Sequence, residues 1–171
     1  MWPQDIFPPY VIAVCTSFGG IPKRPRPGVY VSRKGLEGDG HNHEKHYRPG
    51  QEVCLMDWEI LQDLRQEGFL LDCGSVGENL TIKNLSVQAL PPAAILQFAG
   101  GVELELTKPR HPCYVLDAID PRLKEAIIGR CGYYARVSRE GFLFPGEIID
   151  VILPTGTQRP WERAGCCDVP V

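Results

Sequence analysis

The chain has 171 residues, of which 43% are hydrophobic and 23% are charged, and its formal net charge is −3. This length suits one domain with a sizeable core and is short for two. The weak negative charge gives no electrostatic reason to expect nucleic acid or an anionic membrane as a partner. One short basic run, KRPRP at residues 23–27, is predicted to be a solvated loop.

The seven cysteines occur at irregular spacings, without a Cys-x-x-Cys pair. An odd number of this kind favours reduced thiols over a disulfide framework. The first nine residues, MWPQDIFPP, lack the basic start and continuous apolar segment of a signal peptide. No apolar run approaches the roughly 20 residues that cross a bilayer. We therefore predict a soluble, cytoplasmic protein.

Short β-strands dominate the predicted secondary structure, because prolines and glycines interrupt the chain frequently. The segment 102–107 (VELELT) alternates apolar and polar residues, as in a half-buried antiparallel strand. The segment 10–17 (YVIAVCTS) is apolar and β-branched, which is typical of a core strand. In chain order, the predicted strands are 10–17, 28–32, 79–82, 102–107, 133–138 and 147–153.

The first of two predicted helices begins after Asp57, which can cap its first turn. Met56, Ile60 and Leu64 are spaced by one helical turn, and Gly68 is a typical C-terminal stop.

The second predicted helix has Asp120 as its cap and Pro121 at its first position. Many strands with only two helices predict an α+β fold that is mainly β, with a β-barrel-like sheet and a few flanking helices. One domain is predicted over residues 1–153. Residues 154–171 lack periodicity and are predicted to be a mobile extension.

The strongest candidate for a reactive group is Cys113, in the sequence Arg-His-Pro-Cys at 110–113. A thiol beside two potential cations can ionise near neutral pH, and a thiolate is a soft metal ligand and a nucleophile. Two prolines stiffen this segment. The alternative is a small buried hydrophobic residue, as most free cysteines are. Cys15 and Cys54, by contrast, lie in apolar runs and are predicted to belong to the core.

Two further segments carry polar groups between glycines. Residues 35–40 (GLEGDG) can form a turn whose backbone N–H groups converge on an anion, or an ordinary Gly-Asp turn. Glu78 and Asn79 can hold the amino and carbonyl groups of a pterin-like ring, or can simply complete a turn.

Three of the four histidines, His41, His43 and His46, lie within six residues. They can offer three nitrogens to zinc, or they can be solvated imidazoles in a polar loop. No fourth ligand is evident nearby, so we expect this loop not to be a structural metal site.

The order of these segments resembles the MOSC domain, the C-terminal module of molybdenum cofactor sulfurases, in its short standalone form. The resemblance runs from about Val11 to Leu153. The matching segments are 21–23 (IPK), 35–41 (GLEGDGH), 51–55 (QEVCL), 77–81 (GENLT), 105–113 (ELTKPRHPC), 132–137 (GYYARV) and 145–147 (PGE).

The resemblance implies a β-barrel-like fold that binds the molybdenum cofactor (molybdopterin) or its sulfur. It aligns Cys113 with the cysteine proposed to carry a persulfide or to ligate molybdenum. Pyridoxal phosphate is not expected, because the chain has no room for the sulfurase's pyridoxal-phosphate domain. The positions implied around the pterin and its phosphate are Lys23, Asp39, His41, Glu78, Asn79, Arg110 and Arg136.

Three functions follow as alternatives. The first is a carrier that holds the cofactor or its sulfur at Cys113 for transfer or insertion into an accepting protein. The second is a molybdenum-dependent oxidoreductase that reduces N-hydroxylated small substrates with electrons from a partner protein. The third is a zinc-stabilised interaction domain built on the histidine loop. Small size, without a flavin, haem or iron–sulfur motif, favours the carrier.

Overall fold

The computed structural model describes residues 7–40 and 48–157. Most of this part is β structure, with two α-helices and two 3-10 helices, Val87–Ala89 and Tyr114–Ala118. The remaining elements are β1 (Tyr10–Thr16), β2 (Arg24–Arg26), β3 (Val29–Ser32), β4 (Gly35–Leu36), β5 (Val53–Asp57), α1 (Trp58–Gln66), β6 (Leu80–Lys83), β7 (Ile95–Phe98), β8 (Glu103–Pro109), α2 (Leu123–Ala126), β9 (Tyr133–Arg139), β10 (Gly141–Leu143) and β11 (Ile149–Ile152).

An eight-stranded sheet has the order β11-β7-β8-β9-β5-β6-β1-β2, and a smaller sheet has the order β10-β3-β4. Neighbouring strands are antiparallel except β5 and β6, which are parallel. An isolated bridge between Tyr10 and Ile148 joins strands from distant parts of the large sheet. The ladders over 7–40 and 48–157 do not close into a barrel. The predicted α+β, mainly β fold is confirmed, and the large sheet is mixed.

Alternation along the strands separates a buried face from an outer face. In β8, Leu104 and Leu106 are buried while Glu103 and Glu105 are partly exposed, as the VELELT pattern predicts. In β6, Leu80 and Ile82 pack into the sheet core, so Thr81 points to the opposite face. A second apolar cluster lies on that opposite face and includes residues of α1 and α2. The sheet is therefore covered by apolar residues on both sides near β5 and β6.

Helix α1 has the predicted extent, but Met56 lies in β5, and the buried residues of the helix are Leu61 and Leu64. Fully burying a leucine contributes about 1.5–3 kcal/mol, so this face holds the helix on the sheet. The sequence predicts that Asp57 caps this helix, but its carboxylate makes no capping hydrogen bond. The predicted second helix is shorter than expected, because α2 begins at Leu123 and Asp120 accepts a hydrogen bond from the Arg122 backbone in the preceding turn.

The Asp57 carboxylate accepts hydrogen bonds from the backbone N–H groups of Val87 (2.8 Å) and Gln88 (3.2 Å). Burial raises the pKa of Asp57 from 3.8 to about 6, although these two bonds oppose the shift.

We expect the Asp57 contribution to the free energy of unfolding to decrease as the pH rises from about 4 to about 6. In this window the folded state retains a proton that the unfolded state has released, so deprotonation favours unfolding. The change should be about 2–3 kcal/mol. Urea unfolding between about pH 4 and pH 7 measures it, and Asp57→Asn should flatten this part of the curve. Parallel curves for the two proteins would contradict the assignment.

None of the helices described is long and apolar enough to span a bilayer. The predicted boundary at residue 153 remains a prediction, and residues 158–171 lie outside the described part of the chain.

Candidate functional site

Asp39 is the centre of a polar cluster formed with Lys23 and Asn79, which we call the Asp39 cluster. Lys23 Nζ donates to Asp39 Oδ2 at 2.5 Å, and Asn79 Nδ2 donates to the same oxygen at 2.9 Å. The Ser17 backbone N–H donates to Asp39 Oδ1 at 3.0 Å. The side chain of Asp39 is only 2% exposed, so these three donors replace water around its charge.

Glycines explain how Asp39 reaches the end of β1. Gly38 has φ +80°, a conformation that L side chains rarely adopt. A Cβ on Gly40 would lie 2.0 Å from the Phe18 carbonyl oxygen, so only glycine permits this approach. The Gly40 N–H donates to the Ser17 carbonyl at 2.6 Å. The predicted anion-binding turn therefore positions its own carboxylate against Lys23.

Asn79 ties the Asp39 cluster to two strands. Its Oδ1 accepts from the Cys54 backbone N–H at 3.0 Å, and its Nδ2 also donates to the Cys15 carbonyl at 3.2 Å. Asn79 is 2% exposed and its side chain thus satisfies backbone groups of both β1 and β5. The amide has a structural role as well as a place in the candidate site.

Glu78, next to Asn79, is fully buried. Its Oε1 accepts from the Gly74 backbone N–H at 2.7 Å and from Thr81 Oγ1 at 3.1 Å. Its Oε2 is buried without a partner among the described atoms. Burial raises the pKa of Glu78, which favours a neutral carboxylic acid that can both donate and accept hydrogen bonds.

Arg110 is the second centre of the site. Its residue surface is 9% exposed, and its Nη1 is buried with no partner in the described structure. Burial raises the pKa of Cys54 and raises that of Cys131 to about 11, while the charge of Arg110 acts in the opposite direction on both thiols. The guanidinium therefore lies among these thiols, in an environment that favours an anionic partner for it.

Gly77 packs closely against Ile21, near the Arg110 guanidinium. A Cβ on Gly77 would lie 2.9 Å from Ile21 Cγ2 and 3.4 Å from Arg110 Nη2, and Gly77 has φ +89°. Any side chain here would be strained, and its Cβ would lie too close to Ile21.

Cys113 is partly exposed and immediately precedes the 3-10 helix Tyr114–Ala118 as its N-cap. Its carbonyl accepts from the Leu116 N–H at 3.1 Å, which fixes the backbone of the segment. The charge of Arg110 lowers the pKa of Cys131 and Cys113 raises it, so both groups lie near this buried thiol. A cavity of about 570 Å³ is lined by His111, Pro112 and Lys124 among others, next in sequence to Cys113, which does not line it.

The structure connects the Asp39 cluster with the Arg110 group through Glu78, Asn79 and Cys54. Arg136 lies apart from these groups. Arg136 is on the exposed face of β9, where its Nη2 is 2.7 Å from Glu105 Oε1 of β8. His41 lies outside the described residues, as do His43 and His46.

Cys54, Cys131 and Tyr134 were not predicted as site residues. Cys54 and Tyr134 are paired across β5 and β9, so their side chains share the outer face of the sheet. Burial raises the pKa of Tyr134, and the charge of Arg110 opposes this. The only sequence signal was the Gly132-Tyr-Tyr segment, whose alternation does not reveal which tyrosine faces the arginine.

The MOSC domain profile matches residues 42–150. The chain therefore belongs to the MOSC domain family, as the sequence predicted. Glu78, Asn79, Arg110, Cys113 and Arg136 lie inside the matched range, whereas Lys23 and Asp39 precede it.

Two curated relatives are similar over most of this chain. The first, named a reductase, from Gibberella moniliformis, is 32% identical over 143 residues, which are 79% of this chain and 25% of the relative. The uncharacterized protein YflK from Bacillus subtilis is 31% identical over 143 residues, 78% of this chain and 63% of the relative. The chain thus spans less than two thirds of the length of each.

Solved structures show the same fold. YiiM from Geobacillus stearothermophilus has a TM-score of 0.69 at 24% identity, covering 85% of this chain and 75% of that one. YiiM from Escherichia coli has a TM-score of 0.66 at 20% identity, covering 85% and 70%. The YUAD protein from Bacillus subtilis has a TM-score of 0.65 at 17% identity, covering 83% and 92%.

Proposed function

We propose that this protein binds the molybdenum cofactor and carries the cofactor or its sulfur at Cys113, for transfer to or insertion into a partner protein in the cytoplasm. One observation carries the proposal. Arg110 keeps a buried, unpartnered guanidinium N–H beside the segment that presents the partly exposed Cys113 thiol. A buried cation next to a soft sulfur suits an anionic ligand that contains a thiophilic metal.

The charges and hydrogen-bonding groups of Arg110, Glu78 and Lys23 suit the chemical groups of the cofactor. Molybdenum held by a dithiolene accepts thiolate sulfur and supplies redox chemistry when bound. Arg110 Nη1 would donate to an anionic oxygen, and Glu78 Oε2, buried without a described partner, would meet the polar edge of the pterin. Lys23 uses one of its three N–H donors on Asp39, which leaves two for a phosphate.

Reductase activity is the second candidate, and the name of the relative from Gibberella moniliformis favours it. The cavity lined by His111, Pro112 and Lys124 would then admit the N-hydroxylated substrate, and an electron-donor protein would be required. The zinc-stabilised alternative depends on the three histidines outside the described residues. Among the residues that are described, no group of three His, Cys, Asp or Glu side chains is arranged to hold a metal.

Analysis of protein made in a cofactor-competent host tests the proposal. We expect about one molybdenum and one pterin per chain, measured by elemental analysis and pterin fluorescence. Protein that contains neither, from a host shown to load another molybdenum protein, would overturn it. Assay of the loaded protein with an N-hydroxylated base and a chemical reductant separates the alternatives, because a carrier should not turn over.

Lys23→Ala should weaken cofactor binding by about 1–3 kcal/mol, the usual contribution of a hydrogen bond to a charged group. Arg136→Ala should have a smaller effect, under about 1 kcal/mol, because Arg136 is exposed and paired with Glu105. Binding measured at increasing salt should also weaken in the wild type. A larger effect at Arg136 than at Lys23 would place the phosphate on the outer face of β9.

A further inference from the structure

A chain of hydrogen bonds connects Asp57 to Arg110 through Gln88 and Gly132. Asp57 holds the backbone N–H groups of Val87 and Gln88. The Gln88 side-chain Oε1 accepts from the Gly132 backbone N–H at 2.9 Å. The Gly132 carbonyl in turn accepts from the Arg110 backbone N–H at 2.9 Å. One peptide unit on each side of Gly132 therefore lies between Gln88 and Arg110.

Gly132 has little freedom to move. It has φ +91°, and a Cβ there would lie 2.1 Å from the Leu55 carbonyl oxygen. The backbone at Gly132 thus packs closely against β5, and its N–H and C=O bond to Gln88 and Arg110 respectively. Without Gln88, the buried N–H of Gly132 would lose its partner, which costs more than an ordinary exposed hydrogen bond.

Gln88 itself is held in place by its own backbone. Its N–H bonds to Asp57, and the 3-10 helix is closed by the Ala89 N–H, which donates to the Ser86 carbonyl at 2.9 Å. The side chain is partly buried and follows the strained Ser86, which has φ +56°. A residue in such a conformation persists because its surroundings fix it. The amide oxygen is therefore presented to Gly132 at a defined place.

We propose that Gln88 is a positioning residue for Arg110, acting through the Gly132 peptide. The inference rests on the proposed function, because Arg110 is the group that would hold the cofactor. Gln88 does not touch the reacting atoms. It sets where the Arg110 backbone leaves β8, and thus where the guanidinium and the following Cys113 segment lie. An error of about 1 Å at such a support is enough to weaken a site.

The test compares Gln88→Met, which keeps the length but removes the acceptor, with Gln88→Glu, which keeps an acceptor oxygen. Gln97→Met is the matched control, since Gln97 donates to Glu103 at 2.6 Å on the far strand β7. Cofactor-loaded proteins are desalted repeatedly and the remaining molybdenum is measured over time. Amide hydrogen exchange of Gly132 and Arg110 is measured on unloaded protein. Gln88→Asn replaces Gln88→Met if that variant does not fold.

We expect Gln88→Met to release molybdenum about 5-fold faster and to speed exchange of the two amides by a similar factor, as loss of one hydrogen bond predicts. Gln88→Glu should stay within about 2-fold of the wild type, and Gln97→Met should change neither rate. Equal effects in Gln88→Met and Gln97→Met would overturn the proposal.

Arg110→Met distinguishes the role of Gln88 from the proposed cofactor site, because it removes the group that Gln88 is proposed to position. Faster release in Arg110→Met with wild-type release in Gln88→Met would overturn only the role of Gln88. Wild-type release in Arg110→Met would overturn the proposed cofactor site, and the role of Gln88 with it.

Discussion

Cys113→Ala should reduce the retention of molybdenum by about 100-fold or more, since it removes the proposed ligand itself while loss of a supporting residue alone costs 10–100-fold. Cys113 is partly exposed on a segment stiffened by two prolines and closed by the Leu116 hydrogen bond, so its removal should leave the fold intact. Elemental analysis of wild-type and variant protein, purified in parallel from the same host, measures the effect.

Cys15→Ala and Cys73→Ala are the matched controls for this experiment. Burial raises the pKa of Cys15 to about 12 and also raises that of Cys73, so neither thiol is ionised near neutral pH. Both variants should keep molybdenum and persulfide labelling, because Cys113 is unchanged in them. Full retention in Cys113→Ala, or equal labelling of all three cysteines, would show that the sulfur chemistry lies elsewhere.

Asn79→Leu should lower the free energy of unfolding by about 3 kcal/mol, which is among the larger effects of a single substitution. The leucine has a similar volume but offers no partner to the Cys54 N–H, the Cys15 carbonyl or Asp39 Oδ2. Each of these groups is buried or nearly so, and water does not replace the lost bonds. Urea unfolding of unloaded protein measures the change.

Gln97→Leu provides the comparison for Asn79→Leu. It also removes a side-chain amide, but one with a single contact to Glu103 on a partly exposed strand. Its effect should stay within about 1 kcal/mol. Similar losses in the two variants would mean that the Asp39 cluster contributes nothing special to stability.

The sequence predicts strands well where one face is exposed. The alternation in β8 is clear because Glu103 and Glu105 face outward, and it specifies both the strand and its buried face. All five residues of β5 are buried, so the strand has no alternation and was not predicted. The segment KRPRP at 23–27 was predicted to be a solvated loop because it is a short basic run, yet β2 pairs with β1 at the sheet edge.

Local sequence patterns also predict part of the candidate site. Glycine and proline patterns mark the segments that carry Asp39, Glu78 and Cys113, and the family resemblance orders them. Sequence alone does not show that Asp39 neutralises Lys23, because their pairing depends on the close approach of Gly40 to Phe18. Asp57 was predicted to cap its own helix, but it holds another segment, 30 residues further along the chain.

No sequence pattern pointed to Gln88, because a single glutamine in a short segment between two strands is common. Its importance arises only when the fold places it 2.9 Å from the Gly132 N–H, 44 residues away in sequence. Tyr134 and Cys131 are similar cases, since each acquires a role from Arg110. Residues that support a site through distant contacts therefore need the three-dimensional structure.

The bridge between Tyr10 and Ile148 has a consequence for the order of synthesis. Val11 exchanges backbone hydrogen bonds with Glu147 and Gly146, at 3.0 and 2.7 Å, so β1 is completed by residues made more than a hundred positions later. A ribosome must release nearly the whole described chain before these bonds form, and contacts between distant residues form slowly. Because β1 also carries Cys15 and leads to Ser17, the nascent polypeptide cannot present a finished site. Loading of the proposed cofactor is therefore expected to be post-translational.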